Sequence, residues 1–325
     1  MPTRQTAHID KALTNMSVAY MQDESAFIAD KVFPKIPVKK QSDVYFVYNK
    51  GDFFRDEARV RGAATESAGG DYSVETDTPY YCKVHAFHKD VNEQERANYD
   101  DPLDADKDAN DFVTQKMLIR RERVWADKYF KQGVWSREIT GVDSGPTGAQ
   151  VIKFNLPASN PILSVTNENV RMASQTGFKP NTLVLGPEVF YALKNHEDIL
   201  DRIKYTEKGI VTADLLAALF EVDNVYVAWG VVNSANKGAA DDIDFIMGKH
   251  MLLCYVNPRP AIKKPSAGYI FTWTGLLGAG AFGNRIVRLP IDLLGLGTER
   301  IEGEIAFDAK VIAQDLGVFF VNVVD

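Results

Sequence analysis

Three groups of residues in this sequence could support chemistry at a metal ion or a nucleotide. The first is a metal-capable cluster of Cys82, His85 and His88. It lies in residues 80–91, an apolar stretch that is typical of a strand. Because side chains alternate between the two faces of a strand, Cys82 and His88 share one face and His85 points to the other. Three ligands on two faces do not converge on a zinc ion, so we interpret them as ordinary strand residues.

The second group is a run of aspartates whose spacing imitates the first calcium ligands of an EF-hand loop: Asp104, Asp106 and Asp108. The imitation ends there, because Ala109 stands where the loop requires glycine and Gln115 stands where it requires a bidentate glutamate. Acidic residues in the first turn of a helix are explained equally well by the positive end of the helix dipole. We therefore predict no calcium site.

The third group is a G-x-G-x-x-G motif formed by Gly278, Gly280 and Gly283. This motif binds a dinucleotide only when a helix opens directly behind the glycines, with its N-terminus facing the pyrophosphate. The residues that follow, 285–290, are predicted to be extended rather than helical. A soluble α/β nucleotide-binding enzyme stays as an alternative, and it requires a helix after Gly283.

Composition narrows the remaining function classes. The chain has 325 residues, 45% of them hydrophobic, with a formal net charge of −7 and two cysteines. It is long and apolar enough to fill two packed regions. The negative charge argues against a general nucleic-acid binder, which needs clustered lysine and arginine. No run approaches the roughly 20 apolar residues that span a bilayer, so we expect no membrane partner. We assign no catalytic, cofactor-binding or metal-ligating residue, and we expect no cofactor and no enzyme.

A long charged helix is the clearest element, and we predict it at about residues 101–132. Asp101 is its candidate N-cap and Pro102 its first helical residue. An apolar stripe is predicted along one face: Val113, Met117 and Val124, broadened by Phe112, Ile119, Ala126 and Phe130. The polar face is dense with cations: Lys116, Arg120, Arg121 and Arg123.

The first third of the chain is poorly suited to an enclosed globule. Two proline-bounded pieces, 32–34 and 36–38, force extended backbone, and residues 44–48 are strand-like. The loop at 49–78 holds many charges and few apolar groups, and connections in compact domains have a median of about 4 to 6 residues. We expect this loop to be disordered or to lie on another subunit.

The rest of the chain alternates helices and strands over 165–256 and becomes extended over 269–324. Within the first of these regions, Thr166 is a candidate helix cap, with the helix ending at Gly177. A second helix is predicted at Gly186-Pro187, and a third is capped by Thr212. The overall prediction is an α+β protein.

The order of these parts resembles the major capsid proteins of tailed bacteriophages, which share the HK97-type fold. The likeness covers nearly the whole chain. It rests on short sequence segments and on their order along the chain: Ile28-Ala29-Asp30-Lys31-Val32-Phe33-Pro34, Arg59-Val60-Arg61-Gly62, Glu95-Arg96-Ala97-Asn98, Asp101-Pro102, Ser266-Ala267-Gly268-Tyr269, Asp308-Ala309-Lys310-Val311-Ile312-Ala313 and Leu316-Gly317.

The resemblance implies five parts. They are an N-terminal arm (1–46), an extended β-loop (47–88), a peripheral domain with the spine helix (89–164), an α/β axial domain (165–256), and closing strands that return to the peripheral domain (257–325). The arm and β-loop would reach across neighbouring subunits. Candidate inter-subunit contacts lie in the loop and on the helix: Arg55, Asp56, Glu57, Arg59, Arg61, Lys116, Arg120, Arg121 and Arg123.

The resemblance further implies a function without catalysis. Many copies would assemble through hexamers and pentamers into an icosahedral shell that encloses double-stranded phage DNA without sequence-specific binding. The shell would belong to the virion and assemble in the bacterial host cytoplasm, with a separate scaffolding protein, a portal and a possible decoration protein as partners. An encapsulin-like bacterial compartment of the same fold is the close alternative, and it would enclose protein cargo.

Overall fold

The computed structural model describes residues 21–99, 104–203, 211–261, 263–276, 284–291 and 297–325. Within these ranges the helices are α1 (Ala29–Val32), α2 (Lys50–Phe54), α3 (Glu93–Asn98), α4 (Ala105–Tyr129), α5 (Pro161–Thr176), α6 (Pro187–Lys194), α7 (Glu197–Ile203) and α8 (Ala213–Phe220). The strands are β1 (Lys35–Val38), β2 (Ser42–Tyr48), β3 (Val74–Tyr81), β4 (Lys83–Val91), β5 (Arg137–Val142), β6 (Gln150–Ile152), β7 (Thr182–Leu185), β8 (Asn224–Val227), β9 (Val231–Asn233), β10 (Ile243–Phe245), β11 (Met251–Cys254), β12 (Gly268–Trp273), β13 (Asn284–Pro290), β14 (Glu299–Val311) and β15 (Gly317–Val321).

A six-stranded mixed sheet forms the centre of the molecule, in the order β6-β5-β15-β11-β7-β8. Its middle is completed by β15, which runs parallel to β5 and antiparallel to β11. The strands β7, β11 and β15 are buried along their whole length. Continuous burial of this kind is typical of a sheet that is covered on both faces.

Alternate residues of these strands feed two separate cores. Leu183 and Leu253 point to one face, where they pack with residues of α5 to α8. Val184 and Phe319 point to the other face, where they pack with Trp125 of α4 and with the chain around α1. The period of two along each strand therefore distributes one apolar run between two cores.

A second mixed sheet has the order β1-β12-β14-β13, with β4 also pairing with β14. The 13-residue strand β14 pairs with β13 and β4 over its first half and with β12 near its end. Helix α4 lies against this sheet, where Ala105 and Ala109 pack with Val91 and Ile301. A Cβ added to Gly303 would come within 2.5 Å of the Cγ1 of Val113, so glycine allows the close approach of helix and strand.

Helix α4, which we call the spine helix, begins later (Ala105) and ends earlier (Tyr129) than the predicted span of about 101–132. Its N-cap is Asp104, whose carboxylate accepts hydrogen bonds from the backbone N–H groups of Asp106 (2.9 Å) and Lys107 (3.3 Å). The predicted cap Asp101 and first residue Pro102 lie outside the described residues. A carboxylate that binds two first-turn N–H groups sets the helix start more directly than a proline three residues earlier.

The predicted apolar stripe of this helix is confirmed at four of its seven positions and wrong at one, and the remaining two, Ile119 and Val124, are half-buried. Four of its members are buried: Val113, Met117, Ala126 and Phe130. Phe112 is 44% exposed, because it lies at the margin of the helix–sheet contact, where it packs edge-to-face on Phe87 of β4. Trp125, which the stripe omitted, is fully buried.

Most of the other predicted elements are present, with shifted bounds. Helix α5 starts at Pro161, where Asn160 is the N-cap, and Thr166 lies inside the helix rather than capping it. Its end is as predicted, since Gly177 adopts a left-handed conformation with φ of 73°. Helix α8 is capped by Thr212 as predicted. None of the helices in the described ranges combines the length and the apolar composition that a membrane crossing requires.

The N-terminal arm differs from the expectation in one respect. Residues 27–29, 32 and 33 are at most 1% exposed and pack in the core between the two sheets. Phe33 contacts Trp125 edge-to-face, with ring centroids 5.4 Å apart. This part of the arm therefore belongs to the core of its own chain, because its aromatic and aliphatic side chains fill space that the two sheets leave open.

We predict that Gly303→Val weakens the contact between the spine helix and β14. The added side chain must displace Val113, and overpacking of this kind costs about 1–3 kcal/mol of unfolding free energy, although valine by itself favours a strand. Denaturant unfolding of the isolated subunit measures the loss. Gly69→Val is the matched control, because no atom lies within 4 Å of its added Cβ. Equal stabilities of the two variants would contradict the close approach of α4 and β14 at Gly303.

Candidate functional site

The residues that could have bound a metal ion are used structurally. His85 packs on the ring of Phe307 at 5.1 Å, and burial together with nearby cations lowers the pKa of its imidazole. The Cys82 thiol is buried at the junction of β3 and β4 and donates to the carbonyl of Phe271. Burial raises the pKa of Cys82 to about 12, so it is held as a thiol. No set of three or more His, Cys, Asp and Glu side chains in the described residues could hold a metal ion.

The aspartates that imitate a calcium loop lie in the first turn of α4. Asp104 caps the helix, and Asp106 binds Arg96 at 2.9 Å and Arg288 at 3.2 Å. Arg96 also binds Glu299 at 2.7 Å, so this group ties α3, α4 and the sheet together. Helix geometry and cationic partners leave these carboxylates in a structural role.

The glycine motif at 278, 280 and 283 lies outside the described residues. The chain that follows it, Asn284–Pro290, is strand β13 and not a helix. The helix N-terminus that a dinucleotide pyrophosphate requires is therefore not formed by these residues. This removes the structural requirement on which the nucleotide-binding alternative rested.

The β-loop (47–88) is anchored to the subunit at its base and is exposed to solvent over its outer part. At the base, Tyr48, Phe53 and Tyr72 pack together with ring centroids 5.7–6.0 Å apart. Lys50 of α2 forms an ion pair with Asp315, which attaches the base to the body of the subunit. Every residue from 53 to 77 is exposed. An anchored base that carries a long exposed segment is suited to contact with a second molecule.

The charged residues of this loop have few partners within the chain. Arg55 pairs with Asp52 at 3.3 Å, and Arg61 donates to the carbonyl of Thr65 at 2.6 Å. The side chains of Asp56, Glu57 and Arg59 make no hydrogen bond or ion pair with any residue the structure describes. Charges of both signs are thus presented outward on the loop.

The four cations of the spine helix fall into two groups. Lys116, Arg120 and Arg123 line an open groove of about 420 Å³ between α4 and β4. Arg121 lies apart from them, half-buried, and pairs with Asp30 of α1 at 3.2 Å. The sequence prediction placed all four cations on one polar face. Successive residues of a helix point in different directions, so Arg121 faces another side of the helix than Arg120.

The group that sequence reasoning missed is the buried carboxylate of Glu122. It is 1% exposed and accepts hydrogen bonds from the backbone N–H groups of Ile28 (3.0 and 3.1 Å) and Ala29 (2.9 Å). These are first-turn N–H groups of α1, which no backbone carbonyl satisfies. Burial raises the pKa of Glu122 to about 7, although the two N–H donors and Arg121 lower it. Glu122 is therefore the polar connection between the spine helix and the arm.

Comparison with known proteins gives sequence relatives over most of the chain. No protein-family model matches it. It is 26% identical over 271 residues to the major capsid protein of Burkholderia phage BcepMu, covering 80% of this chain and 82% of that protein. It is 25% identical over 323 residues to the major capsid protein of Pseudomonas phage JBD67, covering 97% of each.

Solved structures share the fold. A phage-related protein from Bordetella bronchiseptica RB50 is similar with a TM-score of 0.70 at 21% identity, covering 93% of this chain and 94% of that chain. The capsid of cyanophage P-SCSP1u has a TM-score of 0.60 at 9% identity, covering 94% and 90%. The SrpI encapsulin of Synechococcus elongatus PCC 7942 has a TM-score of 0.56 at 13% identity, covering 100% and 98%.

We predict that Glu122 makes the stability of the subunit depend on pH between about 4.5 and 7. Because its pKa is raised from 4.5 to about 7 in the folded state, the folded chain binds more protons than the unfolded chain in this window. The contribution of Glu122 to stability is then fully present below pH 4.5. It falls by up to about 1.4 kcal/mol per pH unit as the pH rises toward 7.

The measurement is the unfolding free energy of the native chain minus that of Glu122→Gln, taken at several pH values. Subtraction removes the contributions of His85 and His250, whose pKa values burial lowers in both proteins. The difference should decrease from pH 4.5 to 7 and be constant above pH 7. A difference that is flat or that increases over this window would contradict the assignment.

Proposed function

We infer that this chain, which has the HK97-type capsid fold and is related to phage major capsid proteins, is itself a capsid shell protein. The α+β architecture predicted from the sequence is confirmed by the mixed sheets and by the similarity to capsid structures. The observation that carries the inference is the alignment to a phage major capsid protein over 97% of both chains. An alignment of that extent leaves little of the chain for an unrelated additional domain.

The finer proposal is that the subunits form hexamers and pentamers of an icosahedral shell that encloses double-stranded DNA and has no catalytic role. The exposed β-loop supports it, because a long irregular loop is a liability in a monomer and a pairing surface in a closed assembly. The net charge of −7 is compatible with a container that confines DNA without gripping it. A scaffolding protein, a portal and a decoration protein are the proposed partners, in the host cytoplasm and the virion.

An encapsulin-like compartment is the second candidate, and the full-length similarity to the SrpI encapsulin favours it. The two candidates differ in what the shell encloses. Both known sequence relatives reported above are phage proteins, so we place the phage shell first.

We predict that the chain expressed alone elutes from size-exclusion chromatography as large assemblies. Rings, tubes or shells in negative-stain electron microscopy would support the proposal, and the ratio of nucleic acid to protein inside intact shells separates the two candidates. Samples in which the chain remains monomeric or dimeric are tested again with polyethylene glycol as a crowding agent. A chain that stays monomeric or dimeric at high concentration with polyethylene glycol, and that binds a nucleotide, would contradict a shell function.

We also propose that the loop charges pair with a neighbouring subunit, with Arg55, Asp56, Glu57, Arg59 and Arg61 as the candidates. We predict that Arg59→Glu combined with Arg61→Glu raises the concentration at which assembly begins. Exposed ion pairs contribute about 0–1 kcal/mol each, and 1 kcal/mol corresponds to roughly a fivefold change in an equilibrium constant. Because a shell repeats each contact, a fivefold or larger increase in this concentration is expected.

The measurement is light scattering against protein concentration. The matched control reverses two other exposed cations, Lys131→Glu and Lys264→Glu, which alters net charge by the same amount. If both double variants assemble at the same concentration, the effect is one of net charge and the loop contact is absent.

A further inference from the structure

The groove beside the spine helix carries positive charge that the described residues leave largely unneutralised. Arg120 makes no ion pair with any residue in the described ranges, and Arg123 has only a loose pair with Asp127 at 3.7 Å. The ammonium group of Lys116 lies 5.2 Å from the centre of the Phe112 ring. The positive field of Arg120 and neighbouring lysines contributes to the lowered pKa of His85. An unpaired cluster of this kind attracts a negatively charged partner.

The hairpin of β9 and β10 carries the opposite charge. Among the described residues, its exposed aspartates accept hydrogen bonds from neutral donors. Asp241 accepts from Asn233 at 2.7 Å, and Asp242 accepts from Ser234 at 2.6 Å. Asp244 accepts from the backbone N–H of Phe245 at 2.7 Å.

None of these three carboxylates forms an ion pair with another described residue. The same segment holds one lysine, Lys237, so its formal charge is negative.

Both surfaces also expose apolar side chains next to their charges. Ile243 on the hairpin is 62% exposed, and Trp229 just before it is 39% exposed. Phe112 and Phe87 beside the groove are 44% and 37% exposed. Apolar groups at the centre and charges around them are the usual composition of a protein–protein interface.

The two surfaces adjoin each other on the subunit. Val232 of β9 lines the groove together with Arg120 and Arg123, and its partner in the hairpin register is Asp244. Even so, the acids and the cations do not pair with each other in the part of the chain that the structure describes. A face that carries both signs side by side is complementary to a copy of itself rotated about a two-fold axis, since each acid then meets a cation.

We propose that this face is a two-fold contact between subunits, in which the acidic hairpin of one copy occupies the basic groove of another and the reverse. The inference rests on the proposed shell function, because it requires a second copy of the chain. The residues that would meet across this contact are Lys116, Arg120 and Arg123 on one copy and Asp241, Asp242 and Asp244 on the other.

The test is crosslinking between two single-cysteine variants, Arg120→Cys and Asp242→Cys, mixed before assembly and treated with a bifunctional maleimide. Because each copy carries only one new thiol, a link between the two sites is always between subunits. The native Cys82 and Cys254 are fully buried, and burial raises the pKa of both thiols, so they do not compete. We expect a covalent heterodimer as the main product on a denaturing gel.

The control mixture is Arg120→Cys with Arg171→Cys. Arg171 is exposed on α5, on the opposite side of the six-stranded sheet from α4. If assembled particles of the Arg120→Cys and Asp242→Cys mixture contain no more heterodimer than those of the control mixture, the inference is overturned and the shell function stays intact. A native chain that stays monomeric or dimeric with polyethylene glycol and binds a nucleotide would instead overturn the shell function itself, and the two failures are thereby distinguished.

Charge reversal gives a second readout. Arg120→Asp with Arg123→Asp, or Asp241→Lys with Asp242→Lys, should each lower the assembled fraction several-fold, and a chain with all four changes should recover most of it. Loss on reversal of the groove alone, with no effect of the hairpin, would indicate an acidic partner other than this hairpin and would overturn the proposal.

Discussion

The arm enters the core as a buried segment, and its burial decides how the long helix and the two sheets are joined. Residues 27–33 bring a short helix into the space between two sheets, and the first N–H groups of that helix have no backbone acceptor there. Unsatisfied buried donors cost about 1–3 kcal/mol each. Glu122 accepts from both Ile28 and Ala29, so the spine helix supplies the missing acceptors. Arm, helix and sheets are thereby fixed to one another by a single side chain and the packing around it.

This connection explains how the exposed parts are held. The spine helix is fixed to the arm through Glu122 and to the second sheet through the close approach at Gly303. The groove cations therefore project from a helix that is immobilised on two sides. The loop base is attached separately, through its aromatic cluster and Lys50. Surfaces suited to contacts between subunits are thus carried on a rigid body, which lowers the conformational entropy that association would otherwise cost.

Local elements could be predicted from the sequence because their signals are local. Thr212 and Gly177 cap and end helices as their residue types suggest, and the apolar run Thr182–Leu185 is a buried strand. The pairing of distant strands could not be predicted, since nothing in residues 317–321 specifies a place between β5 and β11. Glu122 was missed because charged residues are rarely buried, and only the contact with Ile28, 94 residues away, explains it. The hairpin aspartates carry no sequence motif, and only their position beside the groove gives them a possible role in contact with a second copy.

The central position of β15 also bears on how the chain is made. A ribosome produces β5, β7 and β11 well before it reaches residues 317–321, and domains tend to form as their segments emerge. Until then β5 and β11 each keep an open edge, and Leu252 and Leu253 lack their partners Phe319 and Val318. Open edges of apolar strands are sites of aggregation. A nascent chain of this protein therefore depends on being kept apart from other nascent chains, or on a chaperone, until its last strand arrives.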